Sequence, residues 1–100
     1  MGSYQDFHRV NGAALPVLRV LLDRWLPGGR VVGHEFVALN PKRKDRRLGS
    51  FKVNLRSGQW ADFATGDRGG DPISLAAYLY NLSQGQAAKR LSEMLGEDHG

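Results

Sequence analysis

The sequence predicts an α+β domain in which three helices pack around a three-stranded antiparallel sheet. Apolar residues recur at helical spacing toward the two ends of the chain, and they alternate with polar residues in its middle. Clusters of glycine and proline separate these segments. With 41% hydrophobic and 24% charged residues, the 100-residue chain has the composition of one domain with a modest core. We place that domain at residues 13–96, between a flexible arm at 1–12 and a tail or linker at 97–100.

The first predicted helix spans about residues 13–26. Its apolar positions include Leu18, Leu22 and Trp25, which follow one another at intervals of three or four residues. Pro27-Gly28-Gly29 ends the helix, because proline cannot continue it and glycine suits the turn that follows. The residues before this helix show no clear period, so we expect them to form a loosely held arm.

Three strands are predicted over about residues 31–39, 50–56 and 59–63. The second strand alternates strictly, so that Phe51 faces one side of the sheet and Lys52 the other. We expect Phe51 to lie in the core, because its face also carries valine and leucine.

The turn between the last two strands decides which aromatic side chain is exposed. A two-residue turn at Ser57-Gly58 would pair Leu55 with Trp60 and Lys52 with Phe63. A bulged turn would shift this register and exchange the two faces of the return strand. The sequence leaves both registers open. Whichever aromatic residue lies beside Lys52 is the better candidate for stacking on unpaired bases.

Two helices are predicted in the last third of the chain, over about residues 72–81 and 84–95. Asp71 is a good N-cap for the first of them, so we interpret the glycine loop before it as a turn and cap rather than an anion site. Ser83 and Gln86 form a capping-box pattern at the start of the second.

Positive charge is concentrated in the first half of the chain. Residues 1–56 hold eleven Lys or Arg against four Asp or Glu, whereas residues 57–100 carry a net charge of −3. Five cations occur in the segment 42–47, which we call the basic loop and which must be exposed because it contains no apolar side chain. Cations placed on a nucleic-acid backbone release counterions, which favours phosphate binding over a role in solubility alone. The predicted nucleic-acid contacts are Lys42, Arg43, Lys44, Arg46, Arg47, Lys52 and Arg56, with Trp60 and Phe63 as stacking candidates.

Other chemistries find little support in the sequence. There is no cysteine, and His8, His34 and His99 lie far apart, so we expect neither a disulfide nor a metal site. No nucleophile, base and orienting partner occur at a recognisable spacing, so we expect no enzyme activity and no cofactor. No apolar stretch is long enough to span a bilayer and no signal-peptide pattern opens the chain, so we expect a cytoplasmic protein without a membrane partner.

Two stretches of the chain resemble the zinc-finger domain at the front of bacterial-type DNA primases. Ser50-Phe51-Lys52-Val53 is similar to the Ser-Phe strand of that family, and Gly69-Gly70-Asp71-Pro72-Ile73 is similar to its Gly-Asp helix start. The resemblance covers about residues 34–95. It does not include the zinc ligands of the family, which are four cysteine or histidine residues in two pairs.

The first pair of ligands in that family would fall between Leu39 and Arg47, where this chain has the basic loop, and the second pair at Phe63 and Gly66. The chain therefore resembles metal-free versions of the domain, found in primase-helicase or Toprim-type proteins of phages and mobile elements. The resemblance implies a zinc-ribbon-like domain without zinc, in which packing at Phe63 replaces the structural role of the metal.

The resemblance also implies that the domain binds single-stranded template DNA during priming, while catalysis belongs to a separate primase or helicase domain in cis or in trans. Two other hypotheses stay open. One is a protein-interaction adaptor that recruits a primase, helicase or repressor through the helix at 13–26. The other is a fragment of a priming enzyme that acts only together with a catalytic domain this chain lacks.

Overall fold

Within residues 4–43 and 49–96, which are those that the computed structural model describes, five short antiparallel strands lie side by side in chain order. The strands are β1 (Arg30–Val32), β2 (Glu35–Ala38), β3 (Phe51–Asn54), β4 (Trp60–Asp62) and β5 (Arg68–Gly69). The helices of the described residues are α1 (Tyr4–Ala14), α2 (Leu18–Trp25), α3 (Pro72–Tyr80) and α4 (Gln84–Met94), and a 3-10 turn at Leu15–Val17 joins the first two.

The α+β class is confirmed, but the sheet of the described residues has five strands and not the expected three. The strand predicted over 31–39 is a hairpin of β1 and β2, because Gly33 has a φ of 64° and turns the chain between them. β5 lies in a segment that was expected to be a loop. It is two residues long, so no alternation of polar and apolar residues could reveal it.

The N-terminal segment also differs from the expectation of a flexible arm. Residues 4–14 form α1, in which Val10 is 2% exposed and belongs to the core. The Asn11 side chain accepts a hydrogen bond of 2.9 Å from the backbone N–H of Ile73 at the start of α3. The single helix predicted over 13–26 is interrupted by the 3-10 turn, because Pro16 has no N–H to donate and its ring obstructs the preceding turn.

The two C-terminal helices agree with their predicted bounds to within one residue at each end. Asp71 caps α3 by accepting a hydrogen bond of 2.8 Å from the N–H of Ser74. Ser83 and Gln86 form the predicted capping box at the start of α4. None of the described helices is both long and apolar enough to span a bilayer.

The described helices cover one face of the sheet and leave the other open. Phe36, Val53 and Trp60 are paired across β2, β3 and β4, and all three point into a core shared with Leu22 of α2 and Leu75 of α3. Because successive residues of a strand alternate between faces, the residues between these point the other way. We call that second surface the open face.

Candidate nucleic-acid interface

The β3–β4 hairpin adopts a register that neither a two-residue turn nor a one-residue bulge produces. Val53 pairs with Trp60 and Lys52 with Ala61, which is two residues away from the register of a two-residue turn. A loop of residues 55–58 accounts for the difference, and it is closed by a hydrogen bond of 2.8 Å from the N–H of Gly58 to the carbonyl of Asn54. A shift of two residues keeps every side chain on its original face, so Trp60 stays on the face of Val53.

Trp60 lies in the core, so the prediction that it stacks on a base is wrong. It is 5% exposed, and its ring contacts those of Phe51 and Tyr78, with centroid distances of 6.1 Å and 4.6 Å. Its indole N–H donates a hydrogen bond of 2.9 Å to the hydroxyl of Ser74 in α3. These contacts hold the ring against the helical layer, where no base can reach its face.

Phe63 is the aromatic residue that lies on the open face. Its side chain is 71% exposed, so the expectation that packing at Phe63 replaces a structural metal is wrong. Its backbone N–H donates a hydrogen bond of 2.8 Å to the carbonyl of Ser50. The ammonium group of Lys52 lies 5.8 Å from the centroid of its ring. An exposed aromatic ring beside a cation is an arrangement that suits an unpaired base and its phosphate.

Three cations lie in one row across the open face. The register pairs Arg30 with Val37, Val37 with Lys52, Lys52 with Ala61 and Ala61 with Arg68, so this row crosses all five described strands. Strands are spaced by about 4.8 Å, which places neighbouring cations of the row about 10 Å apart at the backbone. Arg30 and Arg68 were not among the predicted contacts, because only strand pairing reveals that residues so distant in sequence are neighbours.

One carboxylate lies close to this row. Glu35 approaches Lys52 with 3.9 Å between Oε1 and Nζ, and the two side chains are 43% and 36% exposed. An ion pair in such an exposed position contributes little and is screened by salt. The row therefore keeps a positive field toward solvent, with Arg30 and Arg68 on either side of the pair.

The open face forms a shallow groove of about 590 Å³. Polar side chains that can donate to or accept from base edges lie in it beside the row of cations. The groove is lined, among others, by Glu35, Lys52, Asn54, Gln59, Phe63 and Arg68.

Arg43 of the basic loop is half-buried and engaged by other side chains of the protein, so we no longer assign it to the interface. Its guanidinium donates from Nε to Oδ2 of Asp62 at 2.9 Å and from Nη2 to the hydroxyl of Ser50 at 3.0 Å. Asp62 is fully buried, at 0% exposure, and it is the residue that matches the charge of Arg43. Releasing this guanidinium to a phosphate would leave a buried carboxylate without its counter-charge.

Asp62 is the centre of a polar network that joins the basic loop to the sheet and α3. Burial raises the pKa of its carboxyl, but hydrogen bonds from Asn40, the N–H of Ala64 and Arg43 more than offset burial and leave the pKa below its ordinary value. Asn40, 1% exposed, also donates a hydrogen bond of 2.9 Å to the hydroxyl of Tyr78. Burial and the neighbouring Asp67, which accepts from the same hydroxyl, raise the pKa of Tyr78.

Lys42 is exposed, but its ammonium group is engaged at the end of a helix. It donates a hydrogen bond of 2.7 Å to the carbonyl of Tyr78 and another to the side chain of Asn81. A cation at this position interacts favourably with the C-terminal end of the α3 dipole. Lys42 therefore stabilises α3. Its ammonium group would have to give up these hydrogen bonds in order to bind a phosphate.

Arg56, the remaining predicted contact among the described residues, lies away from the row of cations. Arg56 is exposed in the loop at the end of β3 opposite to Phe63, and its side chain makes no hydrogen bond or ion pair with the described residues. Lys44, Arg46 and Arg47 lie outside the described residues. Among the residues that are described, no group of three or more His, Cys, Asp or Glu side chains is placed to hold a metal ion.

These observations define the class of protein as a small α+β domain with one helix-covered and one open, cationic sheet face. No protein-family model matches the chain, and no curated protein matches it.

Proposed function

We propose that this domain is a non-catalytic module that binds single-stranded DNA along the open face of its sheet. The observation that carries the proposal is the position of Phe63, 71% exposed beside Lys52 and at one end of the groove. A large apolar ring that is exposed to water gains from stacking on a base. The row of Arg30, Lys52 and Arg68 would follow the phosphates.

A single strand is the preferred form of the nucleic acid for two reasons. Stacking on Phe63 requires a base that is not already stacked and paired in a duplex. Gln59 and Asn54 line the same groove, and their side-chain amides would bind base edges that pairing occupies in a duplex. In Asn54 this role falls to Nδ2, because Oδ1 already accepts from the N–H groups of Arg56 and Ser57. We expect the other cations of the basic loop to contact further phosphates. These are Lys44, Arg46 and Arg47.

The wider setting that we propose follows from the primase resemblance. The domain would hold template DNA for a primase or primase-helicase of a phage or mobile element, whose catalytic domain is a separate unit in cis or in trans. A cytoplasmic location belongs to the same proposal.

Binding is tested with a fluorescently labelled oligothymidine, by measuring anisotropy over a series of salt concentrations. Each phosphate contact on a single strand contributes about −0.7 to the slope of log K against log salt. Replacing Arg30, Lys52 and Arg68 together by serine should therefore reduce the slope by about 2.

Lys89→Ser is the matched control, because Lys89 is an exposed cation of α4 on the helical layer. An affinity that does not change with salt would overturn the proposal. So would a triple variant that binds no more weakly than Lys89→Ser does.

The adaptor hypothesis loses most of the apolar surface that it assigned to the helix over 13–26. The apolar side of the helix expected over 13–26 is packed in the core, where Leu22 is 0% and Trp25 8% exposed. Val17 and Val20 remain exposed, at 38% and 57%, but both are small and stand on the outer side of the helix. We therefore favour DNA binding as the function of this domain.

A further inference from the structure

A second groove lies on the helical layer, on the side of the domain away from the open face. It has a volume of about 240 Å³ and is formed by the end of α2, the end of α3 and the outer part of α4. Tyr80 and Met94 form part of its wall and are 49% and 46% exposed, so both present apolar surface to solvent. The ring of Trp25 meets that of Tyr80 edge to face, with 6.4 Å between centroids.

The size of this groove suits one large side chain. Ligand pockets for whole small molecules usually have volumes of about 300–1,000 Å³, whereas a cavity of about 150 Å³ already holds a benzene molecule. The lining is largely apolar, since Leu82 and Leu91 belong to it beside Trp25, Tyr80 and Met94. An aromatic or leucine side chain of a partner would fill it.

The rim of the groove is positively charged. Arg24 and Arg90 both line it, and neither makes an ion pair or a hydrogen bond through its side chain with the described residues. No carboxylate belongs to its lining among the described residues. Asp23, the neighbour of Arg24 in sequence, is paired with Arg19 at 3.3 Å. A bound segment would therefore need negative charge on both sides of its apolar anchor.

We infer that this groove docks an acidic segment of a protein partner, which inserts one bulky apolar side chain between Tyr80 and Met94 and places carboxylates near Arg24 and Arg90. Apolar insertion supplies affinity, and the two arginines select for acidic partners and steer them. The groove and the open face have no lining residue in common, so the domain would bind a protein partner and DNA at the same time. This inference does not depend on the proposed function.

The probe is a short acetylated and amidated helical peptide with one tryptophan flanked by glutamates. Two matched peptides carry alanine in place of the tryptophan or lysines in place of the glutamates. Each is titrated into the isotope-labelled full chain while backbone amide and indole N–H resonances are recorded. We expect the first peptide to shift the indole of Trp25 and the amides around Tyr80 and Met94, with a Kd of about 1 mM or tighter.

Charge-reversal variants test the role of the rim. In the Arg24→Glu/Arg90→Glu variant, the acidic peptide should bind at least about 10-fold more weakly, and the lysine peptide should bind better. Met94→Ala, in an exposed position, should weaken binding of the acidic peptide without a change in the fold. The Lys89→Glu variant of the same helix should leave its binding within about 2-fold of the parent chain.

Three outcomes would overturn the inference. The first is the absence of shifts at the groove with the acidic peptide. The second is equal binding of the acidic and lysine peptides. The third is a set of groove shifts that depends on the concentration of the protein alone or appears on addition of oligothymidine, since the occupant would then be a second copy of the chain or DNA.

Discussion

Arg43 and Asp62 form an ion pair with 2.9 Å between Nε and Oδ2, and this pair fastens the basic loop to the buried end of β4. The carboxylate is fully buried, while the side chain of Arg43 is 30% exposed. The pair therefore has a structural role in a segment whose charge pattern predicts contact with phosphate. It also joins the chain on either side of residues 44–48, because the guanidinium contacts Ser50 as well.

Arg43→Met should destabilise the domain by about 2–3 kcal/mol, because it leaves the Asp62 carboxylate buried without its counter-charge. We expect a lower denaturant midpoint with an unchanged slope in urea unfolding followed by circular dichroism. Arg56→Met is the matched control and should change stability by less than about 0.5 kcal/mol, since Arg56 is exposed. Equal losses in the two variants would show that the pair contributes nothing specific.

Asp62 should make the stability of the domain depend on acid pH. The pKa of its carboxyl is lowered in the folded state from an unfolded value of about 3.9. Its contribution is therefore fully present above that value and is lost as the pH falls through the lower pKa of the folded protein. The advantage of the parent chain over Asp62→Asn in urea unfolding should shrink between about pH 5 and pH 2.

Asp23→Asn serves as the control for this pH dependence. Asp23 belongs to an exposed pair with Arg19, so its removal should change stability by no more than about 0.5 kcal/mol at any pH. A difference between the parent chain and Asp62→Asn that stays constant with pH would contradict the role given to the carboxylate.

Phe63→Ala should separate binding from stability. The side chain is 71% exposed, so its loss should change the free energy of unfolding by less than about 0.5 kcal/mol. If a base stacks on the ring, the same change should weaken binding of oligothymidine by about 1–3 kcal/mol, measured by anisotropy. Met94→Ala, which removes an exposed apolar side chain from the helical layer, should leave DNA affinity unchanged. A Phe63→Ala variant with undiminished affinity would contradict the stacking role.

Gly69→Ala should destabilise the domain by about 1–3 kcal/mol. A Cβ at this position would lie 2.5 Å from the indole nitrogen of Trp60 and 2.5 Å from the hydroxyl of Ser74, so it would break the hydrogen bond between them. Gly70→Ala is the adjacent control, because a Cβ there meets nothing within 4 Å. The midpoint of thermal unfolding should be lower for Gly69→Ala than for Gly70→Ala. Equal midpoints in the two variants would show that Trp60 can shift without a loss of stability.

Local signals in the sequence were sufficient for some elements. The caps at Asp71 and Ser83 start α3 and α4 where they were predicted, because a capping side chain and the amide it accepts from lie three residues apart. The prediction that Phe51 lies in the core is also confirmed. It was based on the alternation of polar and apolar residues in β3, which is again a pattern among neighbouring residues. The turn at Gly33 that splits the first predicted strand was missed, although a glycine followed by the polar residues His34 and Glu35 is a local turn signal.

Tertiary structure alone decided which groups form the candidate interface. The choice between Trp60 and Phe63 depended on the loop at residues 55–58, whose geometry sets the hairpin register. The ion pair of Arg43 depended on the carboxylate of Asp62, which is nineteen residues away in sequence. The alignment of Arg30 with Lys52 and Arg68 required the pairing of all the described strands. In each case the deciding interaction joins residues that no local period relates, and only the packed chain brings them together.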